Sequence, residues 1–214
     1  MQNSQKLWQV LFIVCLILLV GTFLTENFSG ITSSFTVIKH KSYEGQKAAL
    51  ELYAMSLCPY AVQAENTLAR LSNELGDGID FRISFIGRAA GQNEFQSLHG
   101  QAEIDEDIRQ LCVQKYSPER LFAYLGCVNG DIGNAETNWL RCAGTSGIDI
   151  PTIRRCFTGT DGKRLLVNSF QASQKMGARG SPTIRINNAL YSGKTDYLSL
   201  KAELCKGLEK HRNC

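Results

Sequence analysis

No two cysteines in the chain are spaced as Cys-x-x-Cys, and there are only 3 histidines. Zinc ribbons and iron–sulfur sites need clustered thiolates or imidazoles, so this spacing argues against both; neither a metal nor another cofactor is expected. A basic tract is also missing. The 23 Lys and Arg stand against 20 Asp and Glu, for a formal charge of +3, too small and too dispersed for a nucleic-acid surface. Aromatic residues are sparse at 9%, yet 43% of the 214 residues are hydrophobic and only 20% are charged, which excludes a disordered chain. No internal repeat is visible.

Against these absences stand 8 cysteines, in a chain long enough to build a core without disulfides. Cys15 lies in the run Leu7 to Leu24, 18 residues without a charge, near the length that spans a bilayer core. No small-x-small cleavage site follows in TFLTENFSG, so residues 1–24 read as an uncleaved signal anchor rather than a cleaved signal peptide. Cys15 has no lipoprotein box before it and reads as apolar filling. Lys6 and the amino terminus are answered by Lys39, Lys41 and Lys47, so charge does not orient the anchor. The other seven cysteines, widely spaced behind a signal-type segment, point to disulfides in an oxidising compartment. The soluble part is therefore expected outside the cytoplasm, on the periplasmic, cell-surface or lumenal side.

Residues 25–45 are polar and suit a tether, leaving 46–214 as the folded domain. AALELYAM (Ala48 to Met55) reads as a strand ending at SLCPY. AVQAENTLARLSNELG then spaces Ala61, Leu68, Leu71 and Leu75 as a helix, and IDFRISFIG alternates as a half-buried strand. This predicts a β-α-β unit with parallel strands. From about 94 to 176 helical signals dominate, as short segments separated by glycines. SPTIRINNALYSG reads as a hairpin turning at Asn187-Asn188, and a closing helix is capped by Thr195 or Asp196. The order is β-α-β, helical insertion, β-β-α.

Cys58 falls at the end of the first strand and the start of the first helix, with Pro59 behind it. Backbone N–H groups and the helix dipole stabilise a thiolate at such a position, so it can act as a nucleophile. By residue type alone it would read as a buried or disulfide-bonded cysteine; the Cys-Pro-Tyr context favours the reactive one. Ser181-Pro182-Thr183 opens a later strand. Were that peptide bond cis, Ser181 would lie beside Cys58 and present a strand edge to an extended peptide; an ordinary trans proline is the other reading.

MSLCPYAVQAE (55–65), LHGQAE (98–103), LCVQKY (111–116), FAYLGC (122–127), RCAG (141–144), IRRCFTGTDGKRLL (153–166) and SPTIRINN (181–188) resemble thioredoxin-like proteins of the DsbA-like group. Within it they resemble the gamma-interferon-inducible lysosomal thiol reductase type and its bacterial relatives. The resemblance runs from about Ala48 to Leu208. It implies an α/β thioredoxin-like fold and thiol–disulfide oxidoreductase chemistry on protein or peptide substrates. Cys58 matches the nucleophile, Pro182 matches the cis-proline, and Pro59, Tyr60, Ser181 and Pro182 line the substrate site.

The departure is Ala61, where a Cys-x-x-Cys enzyme carries its resolving cysteine; nothing local can attack a mixed disulfide at Cys58. Three readings stay open. The chain is a monothiol isomerase or reductase resolved by an external thiol such as glutathione or a membrane redox partner, or a non-catalytic client-binding module, or a retained fold without catalysis. Glu51, seven residues before Cys58, is a candidate proton relay, with an outward-facing strand residue as the other reading. His99 reads as a surface residue at a helix start rather than a general base. Cys112, Cys127, Cys142 and Cys156 allow three pairings; the expectation is Cys127 with Cys142 and Cys112 with Cys156. Cys205 is expected with Cys214, which leaves Cys58 as the odd thiol.

Overall fold

A computed structural model describes residues 43–91 and 94–214. The anchor expected at Leu7–Leu24 and most of the tether lie outside the described residues. Among those described, no helix is long and apolar enough to cross a membrane. Tyr43, within the expected tether, donates its N–H to the Asp77 carboxylate and its hydroxyl to the Glu209 carbonyl, and its ring lies 5.1 Å from that of His211.

The chain runs β1 (Ala48–Ala54), α1 (Pro59–Leu75), β2 (Ile79–Phe85), β3 (Arg88–Gly91), β4 (Glu94–Gln96), α2 (Gln101–Tyr116), α3 (Leu121–Asn129), α4 (Ala135–Thr145), α5 (Ile150–Thr158), α6 (Thr160–Met176), β5 (Thr183–Ile186), β6 (Ala189–Leu190) and α7 (Tyr197–Cys205). The main sheet has the order β2-β1-β5-β6, with β1 parallel to β2 and antiparallel to β5. The architecture is the mixed α/β thioredoxin-like one. Leu50 faces Ile186 and Leu52 faces Ile184 across β1 and β5, so the apolar sides of both strands meet on one face. Leu68, Leu71 and Leu75 of α1, Ile83 and Phe85 of β2, and Leu200 and Leu204 of α7 complete this core.

Local chemistry accounts for the element ends. Asn187 and Asn188 have φ of 49° and 68°, the left-handed pair that a two-residue hairpin turn requires and Asn tolerates. The Asp149 and Asp196 carboxylates accept the N–H groups of Thr152 and Ser199 at the heads of α5 and α7. The helical insertion starts at Gln101, not at 94, because β3 and β4 form a small antiparallel hairpin ahead of it. Arg88 to Gly91 are all exposed, so the strand leaves no alternating burial pattern for a sequence to display.

Disulfides Cys112–Cys156 and Cys127–Cys142 join α2 to α5 and α3 to α4, and Cys205–Cys214 ties the C-terminal tail to the end of α7. The first two links hold helices of the insertion to one another.

Candidate active site

Cys58 occupies the N-cap of the 17-residue α1, with Pro59 at the first helical position, where the missing N–H costs nothing and the fixed φ suits the helix. Its N–H donates to the Met55 carbonyl and its carbonyl accepts from Val62, at 3.0 Å each. The side chain makes no capping bond with α1. Its thiol instead donates to the Ser181 carbonyl, Sγ to O 3.6 Å. The Ser181–Pro182 peptide bond is cis. Cys58 is 9% exposed and is the free cysteine among the described residues.

The backbone leading into Cys58 is held by side chains from elsewhere. The Met55 N–H donates to Ser181 Oγ at 2.8 Å, the Ser56 N–H to Asp107 Oδ1 at 3.3 Å and the Leu57 N–H to Glu103 Oε2 at 3.0 Å. Ser181 thus serves the site twice, its hydroxyl fixing the loop and its carbonyl meeting the thiol. Ala61, on the turn of α1 beneath the thiol, is wholly buried, whereas Tyr60 is 69% exposed beside it. Leu98, between two residues that bond Glu103, is 76% exposed.

Glu51 does not join this group. It sits opposite Arg185 across β1 and β5, its carboxylate 2.8 Å from that guanidinium and 29% exposed. Strand alternation turns it away from Leu50 and Leu52, both fully buried. The relay reading needs an acid withdrawn from solvent near the thiol, and Glu51 is a half-exposed ion-pair partner on the sheet.

The withdrawn acids lie on helices instead. Glu103, Glu106 and Asp107 of α2 and Glu65 of α1 are all fully buried. Burial pushes Glu65 up to about 8, partly countered by a hydrogen bond from Asn129, and Glu106 up to about 7 despite Arg109, Gln110 and Tyr124 bonding to it. Burial also holds Asp107 well above the usual carboxylate range, against its bond from Ser56. Glu65 Oε1 and Asp107 Oδ2 have no hydrogen-bond partner among the described residues. These residues escape a reading of the sequence because acids in the first turns of a helix normally face water and complement the dipole. The signal present was LHGQAE, which contains both His99 and Glu103. No cluster of metal-ligating side chains occurs among the described residues.

Groups whose folded pKa exceeds the unfolded value retain protons that the unfolded chain has lost, so stability falls as pH rises between the two. For Glu65 that window runs from 4.5 to about 8. Chemical denaturation should therefore show the domain losing on the order of 2–4 kcal/mol from pH 5 to pH 8. Glu65→Gln should remove a substantial part of that slope; an unchanged slope would mean that Glu65 is not the buried acid responsible.

Residues 49–146 match the family of the gamma interferon inducible lysosomal thiol reductase. The resemblance read from the sequence is thereby borne out, and the chemistry at the family level is thiol–disulfide oxidoreduction. No curated protein matches. Among solved structures, a thioredoxin-like oxidoreductase from Silicibacter pomeroyi DSS-3 is similar with 17% identity and TM-score 0.56, over 78% of this chain and 89% of that one. The thiol-disulfide exchange protein alpha-DsbA2 from Wolbachia pipientis has 16% identity and TM-score 0.60, over 78% and 84%. Reduced DsbA from Mycobacterium tuberculosis has 15% identity and TM-score 0.60, over 81% and 90%. At such identities the likeness is one of fold.

Proposed function

We propose that this protein exchanges disulfides in polypeptide substrates through the single thiol of Cys58, on the extracytoplasmic side of a membrane to which its N-terminal segment anchors it. The observation that carries the reading is the pairing of a free cysteine at the N-cap of α1 with a buried alanine, Ala61, three residues on. The three disulfides support the oxidising compartment.

The Cys58 thiolate attacks one sulfur of a substrate disulfide. The new bond joins Cys58 to that sulfur and the other sulfur leaves as a thiolate. With no second cysteine, the mixed disulfide waits for another thiol. If a different substrate thiolate attacks the substrate sulfur, a rearranged disulfide forms and Cys58 is released with no net redox change. If two external thiols such as glutathione act in turn, they are oxidised to their disulfide, the substrate leaves reduced and Cys58 regains its thiol. Backbone groups at Ser181 and Pro182 and the exposed faces of Pro59, Tyr60 and Leu98 would receive the substrate chain, and their apolar character suits an unfolded polypeptide better than a small thiol.

Ala61→Cys tests the mechanism. Incubated reduced with a disulfide-bonded peptide, the natural protein should accumulate a mixed disulfide at Cys58 that persists until glutathione is added. The variant should clear the same adduct at least about 10-fold faster by forming a disulfide between Cys58 and the introduced thiol, because that resolving group is held at high effective concentration. Absence of any adduct in the natural protein would sink the exchange reading and leave a client-binding module.

A further inference from the structure

Glu103 is fully buried, and its carboxylate meets four hydrogen-bonding groups. Oε2 accepts the Leu57 N–H at 3.0 Å and lies 2.6 Å from His99 Nδ1; Oε1 accepts the His99 N–H at 3.3 Å and the Ser97 hydroxyl. Three of these groups donate to the carboxylate, and the direction of the fourth contact, with His99 Nδ1, follows from the ring's tautomer. The Glu103 backbone carbonyl also accepts the Ser56 hydroxyl at 3.3 Å. One residue therefore bridges the loop before α2 to the two residues ahead of Cys58.

We infer that Glu103 is a positioning residue for Cys58: locked from one side by Ser97 and His99, it holds the Leu57 N–H and so fixes the turn that presents the thiol at the head of α1. The inference deepens the exchange reading above, whose site residues did not include Glu103 or His99. Its consequence is local: the backbone N–H of the residue before the thiol is fixed by a side chain from α2 rather than by α1 itself. The other acid facing this loop is Asp107, on the Ser56 N–H, with Glu106 and the Arg109 ion pair behind it on α2; all three remain in the variants below.

Two readouts test the inference without any client or exchange reaction: amide hydrogen exchange at Leu57, and the rate of Cys58 alkylation by iodoacetamide at fixed pH. Glu103→Gln keeps the shape but has a single accepting oxygen for the four groups. It should speed Leu57 exchange at least about 10-fold, roughly the loss of one charge-assisted hydrogen bond, while Leu50 and Leu52 in β1 stay protected. Released from the turn, the 9% exposed thiol should also be alkylated at least about 3-fold faster at fixed pH. If Glu103→Gln does not fold, His99→Ala and Ser97→Ala, each lacking one group that locks the carboxylate, should speed Leu57 exchange by a smaller factor, again with Leu50 and Leu52 protected. A purely structural loss would speed all three amides together. Unchanged Leu57 exchange in the folded variants, or exchange that rises equally at Leu50 and Leu52, overturns the proposal. Should these changes appear while no mixed disulfide forms at Cys58, the positioning role stands and the exchange reading falls.

Discussion

Replacing Cys58 with serine should reduce disulfide exchange to the uncatalysed background, a loss of at least about 1,000-fold, because a hydroxyl at neutral pH supplies no nucleophile comparable to a thiolate. The structure makes this variant a clean test. Cys58 is the free cysteine among the described residues, so the substitution removes that thiol without unpairing a disulfide. Its sulfur makes one polar contact, with the Ser181 carbonyl, and a serine hydroxyl can donate to the same oxygen. Scrambled-substrate refolding and capture of the mixed disulfide should therefore both vanish, with thermal stability nearly unchanged. Retained exchange activity in Cys58→Ser would show that another sulfur carries the chemistry.

The second large effect concerns stability. The cysteines of the three disulfides are 44, 15 and 9 residues apart in sequence. Closing the longer segment removes more freedom from the unfolded chain, about 4 kcal/mol for the first and about 3 kcal/mol for each of the others on the chain-entropy relation. Replacing Cys112 and Cys156 together by alanine should thus cost about 4 kcal/mol or more, since both are buried and their sulfurs leave unfilled volume in the core. Against a typical domain stability of about 5–15 kcal/mol, that lowers the melting temperature by roughly 10–15 °C. The paired variant at Cys205 and Cys214, which opens the shortest segment and involves one half-buried and one exposed cysteine, should cost less. Calorimetry that ranks the two pairs the other way would mean that the α2–α5 link does not organise the insertion.

These two tests also divide the cysteines by chemistry. Cys112 is fully buried and Cys156 nearly so, where a disulfide is out of reach of external thiols. Cys58, under Ser181 and beside the exposed Tyr60, is at the surface of the core rather than inside it. The same residue type is a staple or a free thiol according to whether a second sulfur is within bonding reach.

Much of the fold could be read from periodicity. The alternating apolar residues of β1 and β2 and the helical spacing of Leu68, Leu71 and Leu75 are local patterns, and the structure places each in the core. One element, and the buried polar face of another, escaped. The β3–β4 hairpin buries little, so nothing in its residues reports its pairing. Helix α2 carries Glu103, Glu106, Asp107, Arg109 and Gln110 buried almost completely, against the rule that places such side chains in water. What permits their burial is partners from other elements: the N–H groups of Ser56 and Leu57, the hydroxyl of Tyr124, and the rings of Trp139 and Phe157 beside Arg109.

The candidate site divides along the same line. Cys58 at a strand-to-helix junction, the proline behind it and Ala61 three residues later are consecutive in the chain, so the sequence by itself determined that a lone thiol stands at the head of a helix. Which acid attends that thiol was decided by tertiary structure. Glu51 is near Cys58 in sequence but is held on the sheet by Arg185, whereas Glu103 is 46 residues from Leu57 and touches its N–H. Proximity along a strand fixes only the face on which a side chain lies; the packing of α2 against the loop brings a distant carboxylate within hydrogen-bond reach of the residue beside the thiol.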